Sequence, residues 1–364
     1  DVNTTGASNT AVGRSALTAN TTGANNTAVG NLSLKTNTTG AQNTAVGRNS
    51  LAANTSAINS TSVGHSALAA NTTGANNTAV GKDALVLNTT GTQNVAVGAL
   101  ALDANTTAAN NTAVGYASLG ANTTGTLNTA VGKASLDANT TGDYNVAIGD
   151  DALGANTTAD GNTAVGSAAL TTNTTGANNT AVGLLALRLN TTGASNVAVG
   201  ANALDACTTG GTNTAVGFQA LTTLIGGGAN TAVGQQAGAS ITTADNNTIV
   251  GMVAGSSLTS GSNNLILGHD AGESGSPGGS ITTGSNEIVL GDEAITEAHI
   301  QVDWTVASDK RDKTDVEPMD MGLDFVNKLK PVTYKWDKRS LYVEKGEDFR
   351  DLITDGTHKE DWLD

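Results

Sequence analysis

Ser308 and Lys313 stand five residues apart in "SDKRDK", with Asp309 and Arg311 between them. A serine hydroxyl attacks a carbonyl carbon only when a base takes its proton. A lysine amine can be that base once burial or a neighbouring cation lowers its pKa, and Arg311 is such a cation. Spacing alone leaves two readings open, a nucleophile with its base or an exposed polar turn.

These residues close a chain of different character. Of 364 residues, 13% are charged, 3% are aromatic and 45 are glycine. Residues 1–300 hold six of the seventeen Lys and Arg and three of the ten aromatics. A composition boundary therefore falls near residue 300. The net charge of −15 leaves no basic surface to displace counterions from phosphates, so nucleic acid is not an expected partner. No apolar run reaches the length of a membrane span. The single cysteine, Cys207, excludes an intrachain disulfide. Asp1 opens in the middle of a repeat and reads as the start of a fragment or processed product.

The repeat is strict. Glycines that end an "AVG"-like phrase fall from Gly13 to Gly268 in fifteen steps of 17 residues; the next, Gly291, follows after 23, with the extra length in "ESGSPGGSITTG". A fixed period of this size marks a stacked array of units. With that glycine as position 1, position 5 is usually Leu, position 8 is Asn from Asn20 through Asn190, position 11 is mostly Gly, position 14 is Asn through Asn264 except at Ser60, and positions 15–17 read Thr-Ala-Val or close variants. Gly, Asn and Thr are poor helix formers, and seventeen residues cannot hold two helices and their turns. The expected unit is one coil of an all-β parallel β-roll or β-solenoid. Each coil would carry two short strands, "TAVG" and "AL", joined by Asn-Thr-Thr-Gly turns with a positive φ at position 11. Stacking predicts Asn ladders at positions 8 and 14 and core stacks of Leu at 5 and Val at 17. Apolar burial in one such coil falls short of the entropy of ordering it. Side-by-side association, most simply three-fold, is therefore expected.

Position 2 gathers Arg14, Arg48, His65, Lys82, Tyr116, Lys133, Phe218 and His269 along one outer edge. This edge is either a receptor-contact strip or the unconstrained, solvent-facing position. His65 and His269 lie twelve coils apart and cannot share an ion, so neither a metal nor a cofactor is expected. The recurrent Asn-Thr-Thr sequons read as the turn of the repeat, and Cys207 as a small buried replacement for a ladder Asn.

The phrase "NTAVGxxALxANTTGAN", with "NVAIGDDALGAN" at 145–156 as its nearest form, resembles the head repeat of YadA-like trimeric adhesins. That resemblance implies a trimeric parallel β-roll. Beyond Gly291, alternation at Ile300, Val302, Trp304 and Val306 predicts a strand. A stripe of Leu323, Val326 and Leu329 predicts a helix ending before Pro331, and "VTYKW" predicts another strand. Ser308-Asp309, Arg311, Lys313, Gly322-Leu323-Asp324-Phe325 and "KLKPVTYKW" from Lys328 resemble the start of the intramolecular chaperone domain of phage tailspikes and tail fibres, the S74 peptidase family. The resemblance implies trimerisation, assistance to folding, and self-cleavage with Ser308 as nucleophile and Lys313 as general base. The bond cut would be Ala307–Ser308.

The expected organisation is a β-roll shaft over 1–291, a β-strand linker over 292–307 and the beginning of a small α+β chaperone over 308–364. The expected role is that of an extracellular phage tail fibre or tailspike segment in the virion. Its expected partners are two further copies of the chain, other tail proteins and a host surface receptor, either a glycan or a protein. Self-cleavage would be its only catalysis. A bacterial trimeric surface adhesin is the alternative, and a Thr-rich ice-binding solenoid a more distant one. A solenoid lyase or sialidase would need carboxylates and aromatics gathered across coils, and the repeats hold too few.

Overall fold

The computed structural model describes residues 2–297 and 299. Chain contacts divide the protein into two units, residues 1–298 and 299–364. The first unit is a parallel β-solenoid. Its seventeen strands have three residues each, from β1 (Thr10–Val12) and β2 (Thr27–Val29) in 17-residue steps to β16 (Leu265–Leu267), then β17 (Ile288–Leu290). Every strand pairs in parallel with the next along the chain and in register: Thr10 faces Thr27, and Val146 faces Thr163. At the 23-residue step the six extra residues loop out, so Leu265 still faces Ile288 and the Gly291 N–H still donates to the Leu267 carbonyl at 2.7 Å.

Each coil carries one strand, not two. The "AL" segment is a turn in which the Leu at position 5 takes a left-handed φ, 50° at Leu119 and 53° at Leu136. Left-handed φ disfavours a side chain, yet these leucines are fully buried. The turn is held from coil to coil, since the Leu34 N–H donates to the Ser50 carbonyl at 3.1 Å and the Leu32 N–H to the Arg14 carbonyl at 2.9 Å. Stacked turns thus satisfy the backbone groups that a second strand would have paired.

Positive φ falls elsewhere than expected. It occurs at positions 3, 5 and 13 and at the position-1 glycine, 138° at Gly115, not at position 11. Gly at position 11 is required by close approach instead. A Cβ on Gly23 would overlap the Gly40 carbonyl oxygen and come within 2.6 Å of Asn20 Oδ1.

The strand faces are the reverse of the expectation for position 17. Alternation along the strand buries the central Ala, as in Ala28, Ala113 and Ala164, and turns the Val outward, so that Val29, Val80 and Val182 are each 36% exposed. The core is therefore Leu at 5 against Ala at 4 and 16, flanked by Asn at 8 and 14. In the last coils it is recomposed. Position 5 becomes Gly238, Gly255 and Gly272 while position 16 becomes Ile249, Ile266 and Val289. Position 8 becomes Leu224, Ile241 and Leu258, with Ile281 taking the same place after the insertion.

Both Asn ladders form, by different bonds. At position 8 the amides bond to one another: Asn37 Nδ2 donates to Asn20 Oδ1 at 2.8 Å and to the Gly40 carbonyl of its own turn at 2.9 Å. At position 14 the next coil's backbone completes the ladder. The Asn43 N–H donates to Asn26 Oδ1 at 3.0 Å, and Asn26 Nδ2 donates to the Gly40 carbonyl at 2.9 Å. The position-8 series ends where Cys207 replaces Asn, which leaves the buried Asn190 Oδ1 without a partner.

Candidate functional site

Three surfaces of the solenoid bear on function. The first is the position-2 edge. The position-1 glycine ends each strand with a φ that a side chain rarely adopts, 133° at Gly47 and 142° at Gly81. The chain turns outward there and the next residue points to solvent. Arg14, Arg48, His65, Lys82, Tyr116 and Lys133 are all exposed. They do not converge on one point, because stacking in register spaces them by whole coils of about 4.8 Å. Only neighbours interact: Asp83 Oδ1 lies 3.8 Å from His65 Nδ1, and Lys82 Nζ lies 3.5 Å from Asp83 Oδ2.

The second surface is the outward face of the strands. Thr at position 15 and Val at position 17 repeat along it, with Ile148 at 40% exposure and Leu290 at 47%. A continuous exposed apolar column of this length is unusual on an isolated chain. Sequence reasoning missed it because a Thr-Ala-Val strand can present either Ala or Val to the core. One signal was present in the sequence: position 16 grows to Ile or Val in the same region where position 5 shrinks to Gly.

The third surface is the Asn-Thr-Thr turn. Its Asn is buried and its amide N–H groups are bonded within the ladder, as at Asn88 and Asn105. The first Thr donates its hydroxyl to the next coil, Thr21 Oγ1 to the Thr38 carbonyl at 3.0 Å. A folded coil therefore presents no sequon amide to a glycosyltransferase. Cys207 is buried as well, and burial pushes its thiol up to about 11.

Ala307, Ser308, Asp309, Arg311 and Lys313 lie outside the described residues, as do the strand and helix expected from Ile300 onward. No described helix is long and apolar enough to cross a membrane. No curated protein matches the chain. Residues 308–358 match the family model Peptidase S74, described as the chaperone of endosialidase. A parallel β-solenoid of 17-residue coils, followed along the chain by a segment that matches the chaperone of endosialidase, fits a phage tail fibre.

Proposed function

We propose that this chain is a structural segment of a phage tail fibre or tailspike, acting outside the cell as part of the virion in host adsorption. The observation that carries the reading is the joint occurrence, on one chain, of a long solenoid and a segment matching the chaperone of endosialidase.

The fibre is a homotrimer. Three copies pack through the outward strand faces, where the Val and Ile column around Val80, Ile148 and Val182 leaves water. This supplies the apolar burial that the Ala-rich interior of one coil lacks. The position-2 edge, with Arg14, Arg48, His65, Lys82, Tyr116 and Lys133, faces outward and contributes contacts to a host glycan or surface protein. Other tail proteins attach the fibre to the particle.

The C-terminal segment aids trimer folding and then cuts itself off. Ser308 Oγ attacks the Ala307 carbonyl carbon while the Lys313 amine takes its proton. The Ala307–Ser308 C–N bond breaks, and the proton passes to the departing Ser308 amine. Water then hydrolyses the resulting ester. Arg311 keeps the Lys313 amine neutral by charge repulsion, and Asp309 helps to orient the group.

Light scattering and mass spectrometry on the full-length protein, with Ser308→Ala beside it, test both parts. A trimer with a cut before Ser308, and no cut in the variant, is the expected result. A stable monomer overturns the assembly, and cleavage unchanged by Ser308→Ala overturns the dyad.

A further inference from the structure

The 23-residue step brings together side chains that no other described pair of coils brings together. His269 and Asp292 occupy position 2 of successive coils, and Asp270 occupies position 3 of the first. Looping out the six extra residues keeps the coils in register, so one imidazole and two carboxylates converge. His269 Nδ1 lies 3.3 Å from Asp270 Oδ2 and 3.6 Å from Asp292 Oδ2, and the three donor atoms lie within 4.8 Å of one another. Ligands held about 2.1 Å from a divalent ion are separated by roughly 3.0–3.4 Å along an octahedral or tetrahedral edge, close to the two imidazole–carboxylate distances.

The surroundings are acidic. The inserted loop and the last coil form an open cleft of about 290 Å³ lined by Asp270, Glu273, Ser274, Gly275, Asp292 and Glu293. Glu273 is already engaged, accepting hydrogen bonds from the Ser256 hydroxyl at 3.0 Å and the Ser257 N–H at 2.8 Å. Glu293 is free of such bonds to serine and lies over Gly275, where a Cβ would come within 2.8 Å of its Oε2. Among the described residues no Lys or Arg makes an ion pair with any of these four carboxylates.

The protein contains its own comparison. His65 also occupies position 2, but the next coil places Lys82 where Asp292 stands and Asp83 where Glu293 stands. The Lys82 ammonium neutralises Asp83 at 3.5 Å and repels any further cation. At His269 the corresponding place carries the Asp292 carboxylate instead.

We propose that His269, Asp270 and Asp292 bind one divalent first-row transition ion, of the zinc class, which clamps the last coil of the solenoid to the one before it. A mixed nitrogen and oxygen donor set suits such an ion better than Ca²⁺ or Mg²⁺, which prefer all-oxygen shells. Glu293 or water completes the shell. The ion joins two coils that backbone pairing alone would leave as a frayed edge.

The test is calorimetric titration of Zn²⁺ into the full-length protein, freed of metal by a chelator and carrying no histidine tag, with thermal unfolding recorded in parallel. Expected are binding of one Zn²⁺ per chain, lost or weakened by more than the roughly 10-fold that losing an outer-shell partner costs in both His269→Gln and Asp292→Asn, no change in His65→Gln, and a Zn²⁺-dependent rise in the unfolding midpoint that both site variants lose. Circular dichroism checks that each variant keeps its β signal, which is expected because His269 is exposed, Asp292 is only half-buried and both replacements are close in shape. Absence of Zn²⁺ uptake overturns the proposal. So does uptake that neither site variant alters, or a midpoint that follows pH while ignoring Zn²⁺, since that is the behaviour of a simple His–Asp ion pair.

Discussion

Ile266 fills the space that a side chain on Gly255 would need: its Cδ1 lies 3.0 Å from where a Cβ on that glycine would stand. Ile249 closes the same space from the preceding coil at 3.3 Å. Upstream the volumes are exchanged, with Leu at position 5 facing Ala at position 16, as in Leu136 with Ala130 and Ala147. The cross-section of the coil is conserved while the residue that fills it changes.

This complementarity predicts a coupled pair. Gly255→Leu alone overpacks the core and costs about 1–3 kcal/mol. Ile266→Ala alone opens a cavity and costs about 2–5 kcal/mol. The double variant recovers part of the loss, because each change makes room for the other. Denaturant unfolding of the four proteins gives a coupling energy, and strict additivity would contradict the account.

The position-8 ladder predicts a local penalty. Asn122 Nδ2 donates to Asn105 Oδ1 at 3.1 Å, and Asn122 Oδ1 accepts from Asn139 Nδ2 at 2.9 Å. Asn122→Ala leaves Asn105 Oδ1 buried without a partner and costs about 1–3 kcal/mol. Asn25 sits on the surface outside the ladder, and Asn25→Gly there changes stability far less. Thermal melts of the two variants decide it.

Cys207 predicts a silent thiol. It is buried beside the Gly210 carbonyl, and its pKa is about 11, so little thiolate exists at neutral pH. A chromogenic disulfide reagent should label it only after denaturation. Rapid labelling of the folded protein would refute the burial.

Asp137 predicts a dependence on pH. Burial raises its carboxyl pKa, the charge of Asp151 adds to this, and the backbone N–H groups of Asp137 and Ala138 partly oppose it. A carboxyl raised by folding favours the folded state when protonated. Its contribution is full below the unfolded pKa and is lost as pH rises through the folded pKa. Asp137→Asn should therefore raise the unfolding midpoint at pH 7, and the gain should vanish below about pH 4. A gain that persists in acid would point to a packing effect instead.

The outward strand face predicts an assembly variant. Val182 stands in the middle of the exposed column, and Val182→Glu would place a charge in the proposed trimer contact. The expected result is dissociation or a concentration-dependent trimer by light scattering, with Tyr116→Ala remaining trimeric. A trimer unaffected by Val182→Glu would move the contact to another face.

The 17-residue period by itself determined that this chain stacks in coils, that the coils pair in parallel, and that Asn lies above Asn and Leu above Leu. Those features follow from repetition, since residues at a fixed spacing in a stacked array must meet their own kind. Which face of a three-residue strand is buried was not in the Thr-Ala-Val phrase itself, and only the exchange of Gly at position 5 for Ile or Val at position 16 near Gly255 pointed to it. Ala28 and Val29 are both small and apolar, and only the room left by Leu at position 5 decides that the Ala goes in. The left-handed φ of that Leu was equally hidden, because local preference argues against it and coil-to-coil bonding overrides it. The convergence of His269 and Asp292 across 23 residues arises from register, which the tertiary fold restores by looping out the insertion.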